Sequence, residues 1–174
     1  MIFLRKLREE DFELILKWKK NTSYLNKEHS STIEFQKKWL LDIQTDENCK
    51  YWIISSSSIK IGIANINHID NSNKTCNLEC IIEDKHFKNR GIAQIVILNL
   101  LDYGFNEMNM DKIYINMSEK NNIFDDKFSK SVIEGENKLF NSNLEFFGHK
   151  FVCIKKSDWS LFEEKKKLER ICVD

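Results

Sequence analysis

The chain has 174 residues, 41% of them hydrophobic, which fits one globular domain and excludes disorder or a collagen-like repeat. Its 27 Lys and Arg balance 27 Asp and Glu, so no global field gathers nucleic acid or anionic lipid. The longest apolar run, Ile95–Leu98, stops at Asn99, far short of the roughly 20 residues of a membrane span, and Met1–Leu4 gives way to the charged stretch Arg5–Asp11 where a signal peptide would stay apolar. The expectation is a cytoplasmic protein with a single domain over 1–174, binding neither nucleic acid nor membrane. Cys49, Cys76, Cys80, Cys153 and Cys172 are odd in number and lack metal-type spacing, which predicts reduced, mostly buried thiols and no metal site.

In chain order, Met1–Arg5 reads as a strand leading into a helix over 11–20, where Phe12, Ile15, Leu16 and Lys19 recur at helical spacing. A polar loop, Asn21–Ser30, separates it from a second amphipathic helix with Phe35, Trp39, Leu40 and Ile43, for which Ser31 or Thr32 is the expected cap. Tyr51–Ile54 and Ile59–Ile66 predict a hairpin around Ser55–Ser58; a second turn, Asp70–Lys74, leads to a third meander strand, Thr75–Ile82. Phe87–Ala93 opens a long apolar helix ending near Met108, and the alternating Lys112–Met117 is the next strand, reached by a crossover. A short helix over 121–133 follows, then a strand region over 146–155. Finally, Ser160-Leu-Phe-Glu reads as a capping box for a charged helical tail within 156–174.

Only five glycines occur, so Gly91 between a loop and a helix start is informative. The segment Lys88–Ala93 places unsatisfied backbone N–H groups and the positive dipole end at one point, with Lys88 and Arg90 adding charge. Gly91 and the small Ala93 let a ligand approach the backbone. Simple turn punctuation remains the other reading of the same glycine.

In these residues the chain resembles the GNAT superfamily of acyl-CoA N-acyltransferases. That family's pyrophosphate loop runs Arg or Gln, two residues, Gly, one residue, Gly or Ala; here Lys88, Asn89-Arg90, Gly91, Ile92 and Ala93 fill those places, with Lys in the first. The element order matches over roughly residues 1–155. The resemblance implies an α/β (α+β) fold with a mixed, mainly antiparallel sheet of 6–7 strands flanked by helices and a splayed central pair. It implies acetyl-CoA as acyl donor and no metal. The pyrophosphate then rests on Asn89–Ala93, the pantetheine pairs with Ile81 and Ile82, and Asn121 supports the pantetheine side.

Amine acylation requires loss of a proton from the nucleophile, and Glu79 is the candidate base, with Asn77 two residues earlier on the same strand face able to hold a water. The family's usual leaving-thiolate acid, a Tyr, falls at Phe128 by register. Phe128 cannot donate a proton, so Ser118 or Ser129 serves, or the thiolate leaves with help from water. Within the superfamily, Glu10–Lys19, Tyr51–Ile54, Ile66–Lys74 and Phe151–Trp159 are most similar to N-acetyltransferases of nucleotide-linked amino-deoxysugars in pseudaminic acid type pathways. That resemblance implies a bacterial enzyme of surface-glycan biosynthesis whose acceptor side holds Trp18, Tyr24 and His68, with His29 nearby. Two alternatives remain: a ribosomal-protein type N-terminal acetyltransferase, and a catalytically silent acyl-CoA-binding module. The meander edge is also compatible with a homodimer.

Overall fold

The computed structural model describes residues 1–21, 33–116, 143–146, 149–161 and 170–173. Alternation of apolar and polar residues along the N-terminal half produces β1 (Ile2–Lys6), β2 (Lys50–Ser56), β3 (Ile59–Asp70) and β4 (Thr75–Ile82), paired antiparallel in sequence order. Between β1 and β2 lie a 3-10 turn, Glu9–Asp11, and two helices, α1 (Phe12–Asn21) and α2 (Ile33–Thr45). Helix α3 (Ile92–Asp102) then carries the chain to β5 (Lys112–Asn116), which pairs parallel to β4, as the expected crossover requires. Beyond it come β6 (Asn143–Phe146), β7 (His149–Lys155), the short α4 (Lys156–Leu161) and β8 (Cys172–Val173).

The described residues form one eight-stranded sheet in the order β6-β7-β5-β4-β3-β2-β1-β8. The meander, both turns and α3 follow the expected pattern, and α3 ends in a π-helical turn, Tyr103–Glu107, next to the anticipated Met108. Three details differ. The late strand region divides into the β6–β7 hairpin. Ser160 lies inside α4, which starts four residues earlier, and its hydroxyl donates to the Ser157 carbonyl at 2.6 Å, so it is not an N-cap. The two-residue β8, too short to show any periodicity, joins β1 because α3 holds the preceding residues: Ile171 N–H donates to Asn99 Oδ1 at 3.2 Å, and Arg170 pairs with Asp102. Of the expected loop Asn21–Ser30, Asn21 instead closes α1, and the rest of that loop, the caps Ser31 and Thr32, and the helix over 121–133 lie outside the described residues.

The two faces of the sheet bury different things. On one, Leu4, Trp52, Ile54, Ala64, Ile66, Leu78, Ile113 and Ile115 meet Val96, Ile97, Leu100 and Phe105 in the main core. On the other, α1 and α2 bring Phe12, Ile15, Leu16 and Leu40 onto Leu7 and Ile53 in a smaller cluster over the β1–β2 side. Asp11 anchors this second layer. Its fully buried carboxylate accepts from Arg5 Nη2 (2.8 Å), Lys60 Nζ (2.6 Å) and the Arg8 N–H (2.9 Å), tying β1, the 3-10 turn and β3 together. Burial pushes the carboxyl pKa up, but these donors outweigh it and hold it below the usual range. No helix among the described residues is long and apolar enough to cross a membrane.

Candidate active site

The chain leaves β4 through a tightly tied turn. Glu83 and Asp84 N–H both donate to the Ile61 carbonyl, while Phe87 and Lys88 N–H donate to that of Asp84 and His86 N–H caps the Asp84 side chain at 2.8 Å. Beyond this turn Asn89 (φ 60°) and Gly91 (φ 75°) both adopt the left-handed region, and the first helical bond runs from Ile95 N–H to the Gly91 carbonyl. From Asn89 to Gln94, the backbone N–H groups meet no acceptor among the described residues. Lys88, Asn89 and Arg90 are exposed, and a side chain built on Gly91 would meet nothing within 4 Å. Ile92 instead turns into the core, with partly buried Ala93 packed against it, so both offer the loop chiefly their backbone.

Alongside this loop the sheet opens. Among the described residues, pairing between β4 and β5 ends at Leu78 and Ile115, yet β4 continues beside β3 as far as Ile82, opposite Gly62. Glu79 to Ile82 therefore extend beyond the last β5 pair, with Ile81 and Ile82 half-buried. Gly62 permits this close approach: a Cβ there would lie 2.2 Å from the Ile81 carbonyl oxygen.

Glu79 and Asn77 share the face of β4 opposite the main core, as their spacing requires, and both are half-buried. Across the ladder Glu79 opposes Asn65, which in turn opposes Tyr51, while Asn77 lies between Asn67 and Tyr114. Asn65 Nδ2 donates to Glu79 Oε2 at 3.3 Å and Asn67 Nδ2 to Asn65 Oδ1 at 2.7 Å. His68 Nδ1 lies 2.7 Å from Asn67 Oδ1 and 3.5 Å from Asn77 Nδ2. Burial, reinforced by Cys49, Glu79 and Asp46, raises the Tyr51 hydroxyl pKa, and burial beside Cys153 raises that of Tyr114. The structure thus brings Glu79, Asn77 and His68 together and adds Asn65, Asn67, Tyr51 and Tyr114, which the sequence reading did not single out. Trp18 lies on α1, packed against the smaller core. Tyr24, His29, Ser118, Asn121, Phe128 and Ser129 lie outside the described residues.

A separate cleft of about 580 Å³ lies beside Leu7, Asp46, Glu47, Cys49, Tyr51 and Tyr103. Since Tyr103 follows the C-terminal end of α3, this cleft is roughly 18 Å along the helix from Gly91. Burial pushes the Cys49 thiol up to about 11 and the Cys76 thiol up to about 12, so neither is a ready nucleophile near neutrality. Among the described residues no group of three His, Cys, Asp or Glu side chains is placed to hold a metal ion.

Comparison with known proteins matches residues 2–123 to the family described as "Acetyltransferase (GNAT) domain". No curated protein matches. Among solved structures, a spermidine N-acetyltransferase from Vibrio cholerae in complex with CoA and spermine superposes with TM-score 0.71 at 22% identity, covering 91% of this chain and 98% of that one. Mutant forms of a spermidine/spermine N-acetyltransferase from the same organism give 0.70 at 21% identity, covering 92% and 96%. A dodecameric spermidine N-acetyltransferase, also from Vibrio cholerae, gives 0.69 at 21%, covering 91% and 95%. At these identities the structural likeness speaks for the fold, while the family match spans most of the chain. The chain belongs to the GNAT acetyltransferase family, and is an N-acetyltransferase that uses acetyl-CoA.

Proposed function

We propose that this single domain transfers acetyl from acetyl-CoA to the primary amine of a small polar acceptor, an amino-deoxysugar carried on a nucleotide being the class that best suits its amide-lined face. The observation that carries this reading is the position of Glu79. It lies one residue beyond the last β4–β5 pair, at the mouth of the opening and among Asn65, Asn67 and Asn77. The N–H groups of Asn89–Ala93 hold the diphosphate with Lys88 and Arg90 beside it, and the β4 backbone at Ile81 and Ile82 pairs with the pantetheine. The thioester carbonyl then reaches the opening. Amine nitrogen attacks that carbon, the C–S bond breaks, and the amine proton passes to Glu79 directly or through a water at Asn77. The thiolate takes its proton from solvent or from a group on 117–142, where Ser118, Asn121 and Phe128 lie; Asn121 and Phe128 flank the pantetheine in this reading. Trp18, Tyr24 and His68 border the acceptor.

A second acceptor class, polyamines, is favoured by the spermidine N-acetyltransferase activity of the structural neighbours and by Asp46 and Glu47 in the cleft beside Tyr51. Thiol release from acetyl-CoA separates the two when run with a nucleotide-linked amino-deoxysugar, spermidine and an N-terminal peptide. Turnover with the sugar alone supports the first reading, turnover with spermidine replaces it, and CoA binding without turnover on any amine indicates a silent binding module.

The loop assignment has its own test. Gly91→Val forces a β-branched residue to φ 75° at a cost of about 1–3 kcal/mol, while the open surroundings leave packing intact. Calorimetry should show CoA affinity falling by about tenfold or more with an unchanged circular dichroism spectrum. Unaltered affinity removes the loop from the site.

A further inference from the structure

We infer that Asn65 is a positioning residue for the reaction, aiming the Glu79 carboxylate from the neighbouring strand through a hydrogen-bonded chain that begins at His68. This rests on the reading of Glu79 as base. The chain's direction follows from valence alone. An ionised carboxylate only accepts, so Asn65 presents its NH2 to Glu79 Oε2, at 3.3 Å. Its carbonyl then faces Asn67, which presents its own NH2 at 2.7 Å; the Asn67 carbonyl is left for His68 Nδ1, 2.7 Å away, which donates to it in the Nδ1–H tautomer, with Asn77 Nδ2 3.5 Å from the same nitrogen. Every donor points toward Glu79. Such alignment polarises successive amides and favours one orientation of the charge at the end of the chain.

The backbone is built to deliver this contact. Between Asn67 and Asp70 the β3–β4 register shifts, and His68 there has φ 50°. Continued from the turn pair Asp70 and Thr75 without that shift, the ladder would set Glu79 against Ile66 and Asn65 against Cys80, putting the amide opposite a core thiol. The bulge instead stacks Asn65 on Glu79 and Asn67 on Asn77. Asn65 is only 6% exposed, so its amide is committed to this chain and is not a surface polar group.

A buried amide with a purely architectural role would cost stability but not act through Glu79. The discriminating experiment is a double-mutant cycle in the full chain, read by thiol release with acetyl-CoA and whichever of spermidine or a nucleotide-linked amino-deoxysugar turns over. Asn65→Leu should lower kcat about tenfold with the KM for acetyl-CoA unchanged, and should change kcat less than twofold in a Glu79→Gln background. Asn65→Asp, which turns an acceptor toward the carboxylate, should lose more than Asn65→Leu. Equal losses in both backgrounds, or a loss confined to the KM for acetyl-CoA, overturn the positioning role while leaving Glu79 as base. A Glu79→Gln enzyme with undiminished kcat overturns the base reading and this inference with it. Should Asn65→Leu fail to fold, Asn67→Leu breaks the same chain one link out, with an expected loss of about threefold that must likewise vanish in Glu79→Gln.

Discussion

Along β4, Cys76, Leu78 and Cys80 are at most 2% exposed and meet the α3 layer, whereas Asn77 and Glu79 on the opposite face stay half-buried among amides. Adjacent residues of one strand thus serve different ends. The first set sits in a packed apolar interior where each methylene contributes to stability. The second set sits where the sheet opens, and its polar atoms contribute little to stability beyond the ladder they ride on. The strand's period of two separates folding from chemistry, so the two faces can be perturbed independently.

The largest expected effect lies on the amide face. Glu79→Gln keeps shape and volume but removes the proton acceptor, so kcat should fall about 10²–10⁴-fold. Unfolding free energies from urea titration of the two proteins should agree to within about 0.5 kcal/mol. A Glu79→Gln pH–rate profile whose acidic limb is unchanged eliminates Glu79 as base. Next in size is Leu78→Ala, one residue away on the core face. It should cost about 2–5 kcal/mol of stability, because the rigid β-ladder prevents the site from collapsing around the void. The folded fraction should keep kcat within a few-fold, and a hundredfold loss there would show that the faces are coupled after all.

Much of this division was legible beforehand because it rests on short-range periodicity. Alternation over Thr75–Ile82 put Asn77 and Glu79 on one face, and the helical spacing from Ile92 onward oriented α3. Gly91 was visible because a left-handed helix entry selects glycine. Asn65 and Asn67 stayed hidden for a different reason: alternation gives a residue's face but not its partner. The partner depends on the bulge after Asn67, whose mark is a histidine at φ 50°, a residue that carries no turn signal of its own. Ser160-Leu-Phe-Glu fits a capping box as a string, yet the helix begins at Lys156 because β7 runs directly into it, where Lys156 N–H bonds the Asp111 carbonyl. The pairing of β8 depends on Asn99 and Asp102, some seventy positions away.

The smallest effect sharpens the comparison at the other end of the second face, where polarity does serve stability. Asp11 is fully buried with Arg5, Lys60 and the Arg8 N–H around its carboxylate, while Arg5 and Lys60 keep part of their side chains in solvent. Asp11→Asn should therefore cost about 2 kcal/mol, less than a fully buried ion pair would, because the released cations regain water. Burial favours the neutral acid, but the surrounding donors more than compensate, so the folded-state pKa lies below that of the unfolded chain. The stabilisation is consequently complete above the unfolded value of about 3.9 and is lost as pH falls through the lower folded value. Urea unfolding should show the gap between the parent and Asp11→Asn at full size at pH 7 and shrinking below about pH 4. A gap equally wide at pH 7 and pH 3 would mean that Asp11 contributes through shape and neutral hydrogen bonding, and the contrast between a charged anchor at β1 and an amide-held carboxylate on β4 would collapse.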